Sequence, residues 1–145
     1  MKRGAISDRI SVGGQPTEED LKNLKAEGFA AIINLRREGE QNQPLDPARE
    51  GAVAQATGLK YFHIPVNSSD PKREHVEAVK AALDQIEGPV FVHCQGGGRG
   101  CSIALLASEP NASPDQMMKQ AETAGFPITN PVTQQFVKDI LGTKS

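Results

Sequence analysis

The chain has 145 residues, enough to close one hydrophobic core, and its Lys and Arg side chains (16) nearly balance its Asp and Glu side chains (18), for a formal net charge of −2. This balance indicates neither a nucleic-acid-binding surface nor an acidic tail, so any anion site must be local. No apolar run reaches the roughly 18 residues of a transmembrane helix, and the basic start MKRGAISDRISVGG lacks the apolar segment of a signal peptide.

The two cysteines, Cys94 and Cys101, are too few for a disulfide scaffold. Their spacing also makes a poor metal site, so we expect neither a metal nor another cofactor. The low cysteine content favours a reducing compartment, and we therefore expect the chain in the cytoplasm.

Strand and helix signals alternate along the chain. Arg9–Val12 predicts a first strand, and Thr17 with Asp20 three residues later forms a capping-box pattern for a helix that Gly28 ends. Three more apolar segments predict strands, the last of them central in a parallel sheet: Phe29–Leu35, Leu59–Val66 and Val90–Val92.

Further helix starts are marked where a capping residue is followed by proline. The first such helix is expected to end at Gly58 and the second near Glu87, and Cys101–Ala107 also has a helical pattern. The order of elements predicts one α/β domain over residues 1–145, with a mainly parallel central sheet and helices on both faces. The four starts are Asp46-Pro47, Asp70-Pro71, Ser113-Pro114 and Asn130-Pro131.

The segment HCQGGGRGCS follows the predicted central strand, at the edge where parallel sheets bind ligands. A thiolate at Cys94 would be a nucleophile, and backbone N–H groups around a tight loop stabilise negative charge. The three glycines that follow allow the loop to curl with positive φ. Arg99 can bind two oxygens of a tetrahedral anion at once. These residues together predict an oxyanion-binding thiolate site.

His93 is expected to support this loop, either by orienting it through the ring nitrogens or as an ordinary core histidine. Cys94 considered alone would be a small buried hydrophobe, but its occurrence with a strand, glycines, an arginine and a helix favours a site. The residues expected to bind the substrate around the nucleophile are Gln95, Gly96, Gly97, Gly98 and Gly100.

The segment VFVHCQGGGRG resembles the signature of cysteine-dependent phosphatases of the tyrosine and dual-specificity type. With SVGGQPTEEDLKNLKAEGFAAIINLRREGE and YFHIPVNSSDPKREHVEAVKAAL before it, most of the chain resembles the dual-specificity-phosphatase-like family that also occurs fused to metallo-β-lactamase-type hydrolases. The resemblance implies that Cys94 forms a phosphocysteine and that Arg99 binds the phosphoryl oxygens. It further implies hydrolysis of a phosphate monoester, on a phosphorylated small molecule or a phosphoprotein.

Two positions depart from the usual phosphatase signature. Four residues rather than five separate Cys94 from Arg99, although the fused family tolerates this shorter loop. Gly100 replaces the Ser or Thr whose hydroxyl assists breakdown of the intermediate. Ser102 either substitutes for that hydroxyl or is simply a residue of the first helical turn.

Cleavage of a phosphate monoester also needs a proton donor for the leaving oxygen. The resemblance places this donor on the loop PVNSSDPKRE, where Asp70 is the only Asp and is therefore the expected general acid. Asp70 also has a structural explanation as the helix cap before Pro71. Glu74, in the first turn of the predicted helix, is a weaker candidate.

Three nearby residues leave two interpretations open. Arg36 and Arg37 end a strand at the same edge of the sheet, and they either reach the site or pair on the surface with Glu38 or Glu40. Cys101 either resolves an oxidised nucleophile as a disulfide or is a small buried residue.

Two other functions compete with a phosphatase. Rhodanese-type sulfurtransferases use a cysteine loop of this shorter length, but the chain lacks the Asp-x-Arg and His-Ile-Pro-Gly patterns of those enzymes. A catalytically weak oxyanion-binding module would also explain Gly100 and the uncertain general acid. Release of phosphate, formation of thiocyanate, or anion binding without turnover would distinguish the three.

Overall fold

A five-stranded sheet with six helices forms the part of the chain, residues 2–142, that the computed structural model describes. The strands are β1 (Arg3–Ala5), β2 (Ile10–Gly13), β3 (Ala31–Asn34), β4 (Lys60–His63) and β5 (Val90–His93). The helices are α1 (Glu18–Ala26), α2 (Pro47–Thr57), α3 (Arg73–Asp84), α4 (Gly98–Ser108), α5 (Pro114–Thr123) and α6 (Pro131–Gly142).

The strands lie in the order β1-β2-β5-β3-β4. β5 is central and runs parallel to both β2 and β3, with Val92 opposite Val12 on one side and Ile33 on the other. β4 is parallel to β3, and only the short edge strand β1 is antiparallel to its neighbour. The predicted α/β class with a mainly parallel sheet is confirmed. The three-residue strand β1 was not predicted because RGA carries no strand pattern.

The alternation of side chains along the central strands divides the core into two layers. Ile33 and Val92 pack on the face covered by α3, α4, α5 and α6, whereas Ile32 and Phe91 pack on the face covered by α1 and α2. Helices therefore lie on both faces, as predicted. Because His93 is two residues after Phe91, it is directed towards the α2 face.

Side-chain caps start four of the helices as the sequence predicts, including α6, where the side chain of Asn130 accepts from the Val132 amide at 2.9 Å. The hydroxyl of Thr17 accepts a hydrogen bond from the Asp20 amide at 3.1 Å, the carboxylate of Asp46 accepts one at the start of α2, and Ser113 caps α5. Gly58 ends α2 with φ of 97°, in the left-handed region that glycine adopts without strain. These local signals fix the boundaries of the elements that carry the loops of the site.

The predicted cap at Asp70 is wrong. The amides of Ser69 and Asp70 donate to the side-chain and backbone oxygens of Asn67, at 3.0 and 2.9 Å, so a turn holds this segment. Helix α3 starts at Arg73 instead and ends at Asp84, before the expected Glu87. Asp70-Pro71 thus belongs to the loop between β4 and α3.

None of the helices within residues 2–142 has the length and apolar character needed to cross a lipid bilayer.

Candidate active site

The loops that follow β2, β3 and β5 meet at the carboxyl-terminal edge of the sheet, where parallel sheets bind ligands. Gln15 follows β2, Arg36 and Glu40 follow β3, and Cys94 follows β5. The parallel pairing of the strands brings these side chains, distant in sequence, into one cluster. This cluster is the candidate active site.

Cys94 lies at the base of the loop, with only 2% of its surface exposed. Its Sγ accepts hydrogen bonds from the amides of Gly97, at 3.0 Å, and Gly100, at 3.4 Å. Both amides belong to the N-terminus of α4, where the orphan N–H groups and the helix dipole favour an anion. The sulfur therefore occupies a position suited to a thiolate.

Of the three glycines in the loop, only Gly97 adopts a positive φ, of 101°. A Cβ on Gly97 would also lie 2.1 Å from Cε1 of Phe126, in the segment between α5 and α6. Gly96 and Gly98 are exposed, and a Cβ on either would meet nothing within 4 Å. The expectation that all three glycines supply positive φ is thus wrong. Only Gly97 needs to be a glycine for its backbone angle, and Gly96 and Gly98 face open space.

The guanidinium of Arg99 is held on its end edge by Glu40. Nη1 and Nη2 donate to the two carboxylate oxygens of Glu40, at 2.8 and 2.9 Å, and Nη1 also donates to the carbonyls of Leu35, at 3.1 Å, and Val66, at 2.7 Å. Arg99 has five N–H donors. The donors left over are Nε–H, which is buried and makes no hydrogen bond within residues 2–142, and one N–H of Nη2. These two lie side by side on the second edge of the fork.

The charges around Arg99 keep both partners ionised. Burial opposes the charge of the guanidinium, but Glu40 and Cys94 raise the pKa of Arg99 above its usual value. Burial likewise acts to raise the pKa of Glu40, yet hydrogen bonds from Arg99, the Arg37 amide and Arg36 outweigh it and lower that pKa from 4.5 to about 2. Glu40 is therefore a carboxylate throughout the physiological range.

Arg36 is fully buried, so the alternative of a surface pair is wrong for this residue. Its Nε donates to Glu40 at 3.1 Å, and its Nη1 donates to the side-chain oxygen of Gln15 at 2.8 Å. The carbonyls of Gln41 and Asn42 accept from the same guanidinium, so the loop after β3 wraps around it. Arg36 reaches the site through Glu40 rather than directly.

His93 lies beneath the loop in a fully buried pair with Glu50 of α2, its Nε2 2.6 Å from the carboxylate. Its other ring nitrogen, Nδ1, is 3.4 Å from the carbonyl of Cys94. The ring thus links α2 to the backbone of Cys94. No local pattern indicates Glu50, which lies 43 residues away along the chain.

Asp70 lies outside the cleft that adjoins Arg99. Its side chain is 68% exposed and sits 3.7 Å from the amino group of Lys72, beside Pro131 and Val132. Ser68 and Pro71, on either side of it, do line the cleft. The role of Asp70 as general acid stays a prediction.

The cleft beside Arg99 encloses about 200 Å³. One wall is the loop before α3, the floor is the first turns of α4, and the opposite wall is the segment from residue 127 to the start of α6. Arg99 is the one charged residue among those that line it. The others are Ser68, Pro71, Gly98, Ser102, Ile103, Pro127, Ile128, Thr129, Asn130, Thr133 and Phe136.

Packing accounts for the residues after Arg99. A Cβ on Gly100 would lie 3.3 Å from the carbonyl of Val92, which explains a glycine where the resemblance leads one to expect Ser or Thr. The hydroxyl of Ser102 donates to the carbonyl of Arg99 at 3.1 Å, within the helix. Cys101 is a free, fully buried thiol, and burial together with Cys94 raises its pKa to about 12.

Comparison with known proteins identifies the family of this site. Residues 3–111 match the phosphatase-like domain of beta-lactamase hydrolase-like proteins. The chain belongs to this family. It is 36% identical over 106 residues (73% of the chain) to the beta-lactamase hydrolase-like protein of Agrobacterium fabrum, and 32% identical over 136 residues (92%) to that of Xylella fastidiosa strain Temecula1. The chain spans only 25% and 31% of the lengths of these relatives.

Solved structures agree with this family. A DUF442 protein from Shewanella putrefaciens is 26% identical, with a TM-score of 0.81 over 97% of this chain and 91% of that one. Tk-PTP in its active form is 18% identical, with a TM-score of 0.78 over 97% of both chains, and shares the fold. The resemblance predicted from the motif is confirmed, and the family and its neighbours support a phosphatase, and hence a hydrolase.

We expect Gly97→Ala to destabilise this phosphatase-like domain by about 2–4 kcal/mol, because it combines a strained φ with a collision against Phe126. Gly96→Ala is the matched control, since its Cβ would point into open space, and we expect a loss within about 0.5 kcal/mol. Urea unfolding measures both. Equal losses would show that Phe126 does not brace the loop.

The ionised Glu40 should stabilise the fold at neutral pH. Because its pKa falls from 4.5 to about 2 on folding, this stabilisation is complete above pH 4.5 and is lost as the pH falls towards 2. We expect Glu40→Gln to cost at most about 3 kcal/mol at pH 7, with the gap closing between pH 4.5 and 2. Urea unfolding across this range tests it, with the exposed Glu87→Gln as control. A gap that stays constant down to pH 2 would contradict the assignment.

Proposed function

We propose that this domain is a cysteine-dependent phosphatase that hydrolyses phosphate monoesters through a phosphocysteine intermediate. Its substrate is a phosphorylated small molecule or a phosphoprotein. The single observation that carries the proposal is the position of the Cys94 sulfur, which accepts two amide hydrogen bonds at the N-terminus of α4. A helix N-terminus whose amides donate hydrogen bonds to the sulfur stabilises the thiolate, and the thiolate is the form in which a cysteine acts as a nucleophile.

The free edge of Arg99 supports a phosphate as the ligand. Nε–H and the remaining Nη2–H form a two-pronged donor that matches two oxygens of a phosphoryl group. A buried donor without a partner costs about 1–3 kcal/mol, so an anion that accepts from Nε recovers this cost. Arg99 and the loop amides supply the positive charge that stabilises the transition state.

The reaction then takes two displacements. Sγ of Cys94 attacks phosphorus in line with the ester oxygen, so that the S–P bond forms as the P–O bond breaks and the leaving alcohol takes a proton from the general acid. Water next attacks the phosphocysteine, forming an O–P bond while the P–S bond breaks and its proton returns to the same acid. Inorganic phosphate and the Cys94 thiolate are released.

Asp70 is our proposed general acid. Glu40 is closer to Arg99, but with a pKa of about 2 it holds no proton to donate at neutral pH. Asp70 is the one aspartate on the loop before α3, and its neighbours Ser68 and Pro71 line the cleft. This assignment requires the Asp70 carboxyl to turn from the surface beside Lys72 towards the leaving group.

An oxyanion-binding module with slow turnover is the second candidate. Two observations favour it: the exposed position of Asp70 outside the cleft, and the glycine at position 100 where a hydroxyl would assist the second displacement. Such a module would bind phosphate or vanadate in the loop without releasing product catalytically.

We expect Cys94→Ser to lower hydrolysis of a chromogenic aryl phosphate by at least roughly 10³-fold, because a hydroxyl cannot replace the thiolate nucleophile. Cys101→Ala is the control and should retain activity. The same proteins assayed with thiosulfate and cyanide test sulfur transfer. Thiocyanate formation that depends on Cys94, without phosphate release, would replace the phosphatase by a sulfurtransferase.

Asp70→Asn should lower kcat by about 10²-fold for an alkyl phosphate, since removal of a general acid has effects of this size. The loss should be smaller for p-nitrophenyl phosphate, whose leaving group needs little protonation. Asp84→Asn, the same change at an exposed position at the end of α3, is the matched control. If Asp70→Asn affects both substrates equally, or neither, Asp70 is not the proton donor.

A further inference from the structure

A continuous chain of polar side chains runs beneath the loop and joins the two ends of the site. It starts at His93, whose ring contacts the backbone carbonyl of Cys94, and it ends at Arg99. The consecutive hydrogen bonds measure 2.6, 2.8, 2.8, 3.1 and 2.8 Å. We call this series the polar chain, and its members in order are His93, Glu50, Gln15, Arg36, Glu40 and Arg99.

Gln15 is the central link of the polar chain. Its Nε2 donates to the carboxylate of Glu50, and its Oε1 accepts from the guanidinium of Arg36. A carboxylate could not donate to Glu50, and an ammonium or guanidinium could not accept from Arg36. The primary amide binds both neighbours at once, so it connects the carboxylate of Glu50 to the guanidinium of Arg36.

The position of Gln15 is fixed by the strand that precedes it. Gly14 follows β2 and approaches the carbonyl of Gln95 so closely that a Cβ there would lie 3.0 Å from it. The backbone next to Gln15 is therefore packed directly against the backbone of the loop between Cys94 and Arg99. Nε2 also donates to the carbonyl of Pro16, which holds the amide in this orientation.

Arg36 links Gln15 to Glu40, which in turn binds Arg99. It is fully buried, and its guanidinium holds both Glu40 and the carbonyls of the residues that follow it. Because the two oxygens of Glu40 fix the end edge of Arg99, a shift of Arg36 moves Glu40 and thereby rotates the free Nε edge. That edge must face the phosphoryl oxygens while Sγ of Cys94 stays in line with phosphorus.

We propose that Gln15 and Arg36 are positioning residues that couple the support of the nucleophile to the orientation of Arg99. The inference rests on the proposed function in that it concerns the same anion site. It adds that the two groups that contact the phosphoryl group are aligned with each other through the polar chain, and that Gln15 is the point where this alignment can be interrupted.

Gln15→Met tests the coupling because methionine keeps the length of the side chain and removes both hydrogen bonds. We expect it to weaken inhibition by vanadate about 10-fold and to lower kcat/KM for an aryl phosphate by a similar factor, as for contacting residues in one network. Gln135→Met, which removes a surface hydrogen bond to Asp139 on α6, is the matched control. It should leave both quantities unchanged.

A double-mutant cycle separates positioning from a merely structural role. Gln15→Met and Glu40→Gln interrupt the same chain, so the double variant should weaken vanadate binding clearly less than the product of the two single effects. Affinity is measured on the folded fraction, determined by circular dichroism, which removes any contribution from unfolding. Effects that multiply, or losses that disappear once affinity is referred to the folded fraction, would overturn the proposal.

Two further arms keep the outcome interpretable. Arg36→Met removes a fully buried cation and puts folding at risk, so Gln15→Ala, at a half-buried position, is the second variant. If the wild-type domain hydrolyses no phosphate ester, the proposed function fails, but direct titration with vanadate still measures the coupling. Tight vanadate binding that Gln15→Met and Gln15→Ala leave unchanged would overturn the inference alone.

Discussion

The pair between Glu40 and Arg99 is the interaction on which the site depends. Helix α4 begins at Gly98, so Arg99 leaves the chain from the first helical turn rather than from the end of the loop. From there its guanidinium reaches the carbonyls of Leu35 and Val66 as well as Glu40. One side chain thus ties α4 to the loops after β3 and β4. These contacts hold the arginine from outside the short loop between Cys94 and Arg99.

This anchoring has an electrostatic cost. Glu40 places a permanent negative charge beside the position where a phosphate dianion would bind, and it neutralises one of the two nearby guanidinium charges. Arg36, Glu40 and Arg99 together retain one positive charge, to which the amides of the loop add their partial charges. Among the residues of the described chain, 2–142, that line the cleft, Arg99 is the one cation. For the phosphatase that we propose, a substrate with a single phosphate matches this charge balance better than one with a cluster of phosphates.

The sequence indicates those parts of the fold and of the site that depend on residues close together in the chain. The wholly apolar central strand around Phe91, the capping box at Thr17 and the loop around Cys94 all follow from local patterns. The Asp70 cap failed because Asn67, three residues earlier, forms a competing turn. Asn and Asp side chains can form either a helix cap or a turn, so sequence patterns alone do not show which of the two forms.

The contacts that organise the site join residues distant in the chain and leave no local signal. Glu40 and Arg99 are 59 residues apart, and Gln15 and Glu50 are 35 apart. Arg36 and Glu40 have the spacing of an ordinary surface pair, and only burial shows that they are internal. The convergence of strand ends at one edge was predictable, and it is the one signal that could have drawn attention to Gln15.

Phe126 lies outside the residues that match the family but packs against the loop of the candidate site. Cys94 and the whole polar chain lie within the matched residues 3–111, whereas the ring of Phe126 that packs on Gly97 comes from the connection between α5 and α6. The segment that matches the family is therefore shorter than the segment whose residues pack around the candidate site. A chimera that exchanged the last two helices between relatives would succeed only if the aromatic ring and the glycine beneath it were inherited as a pair.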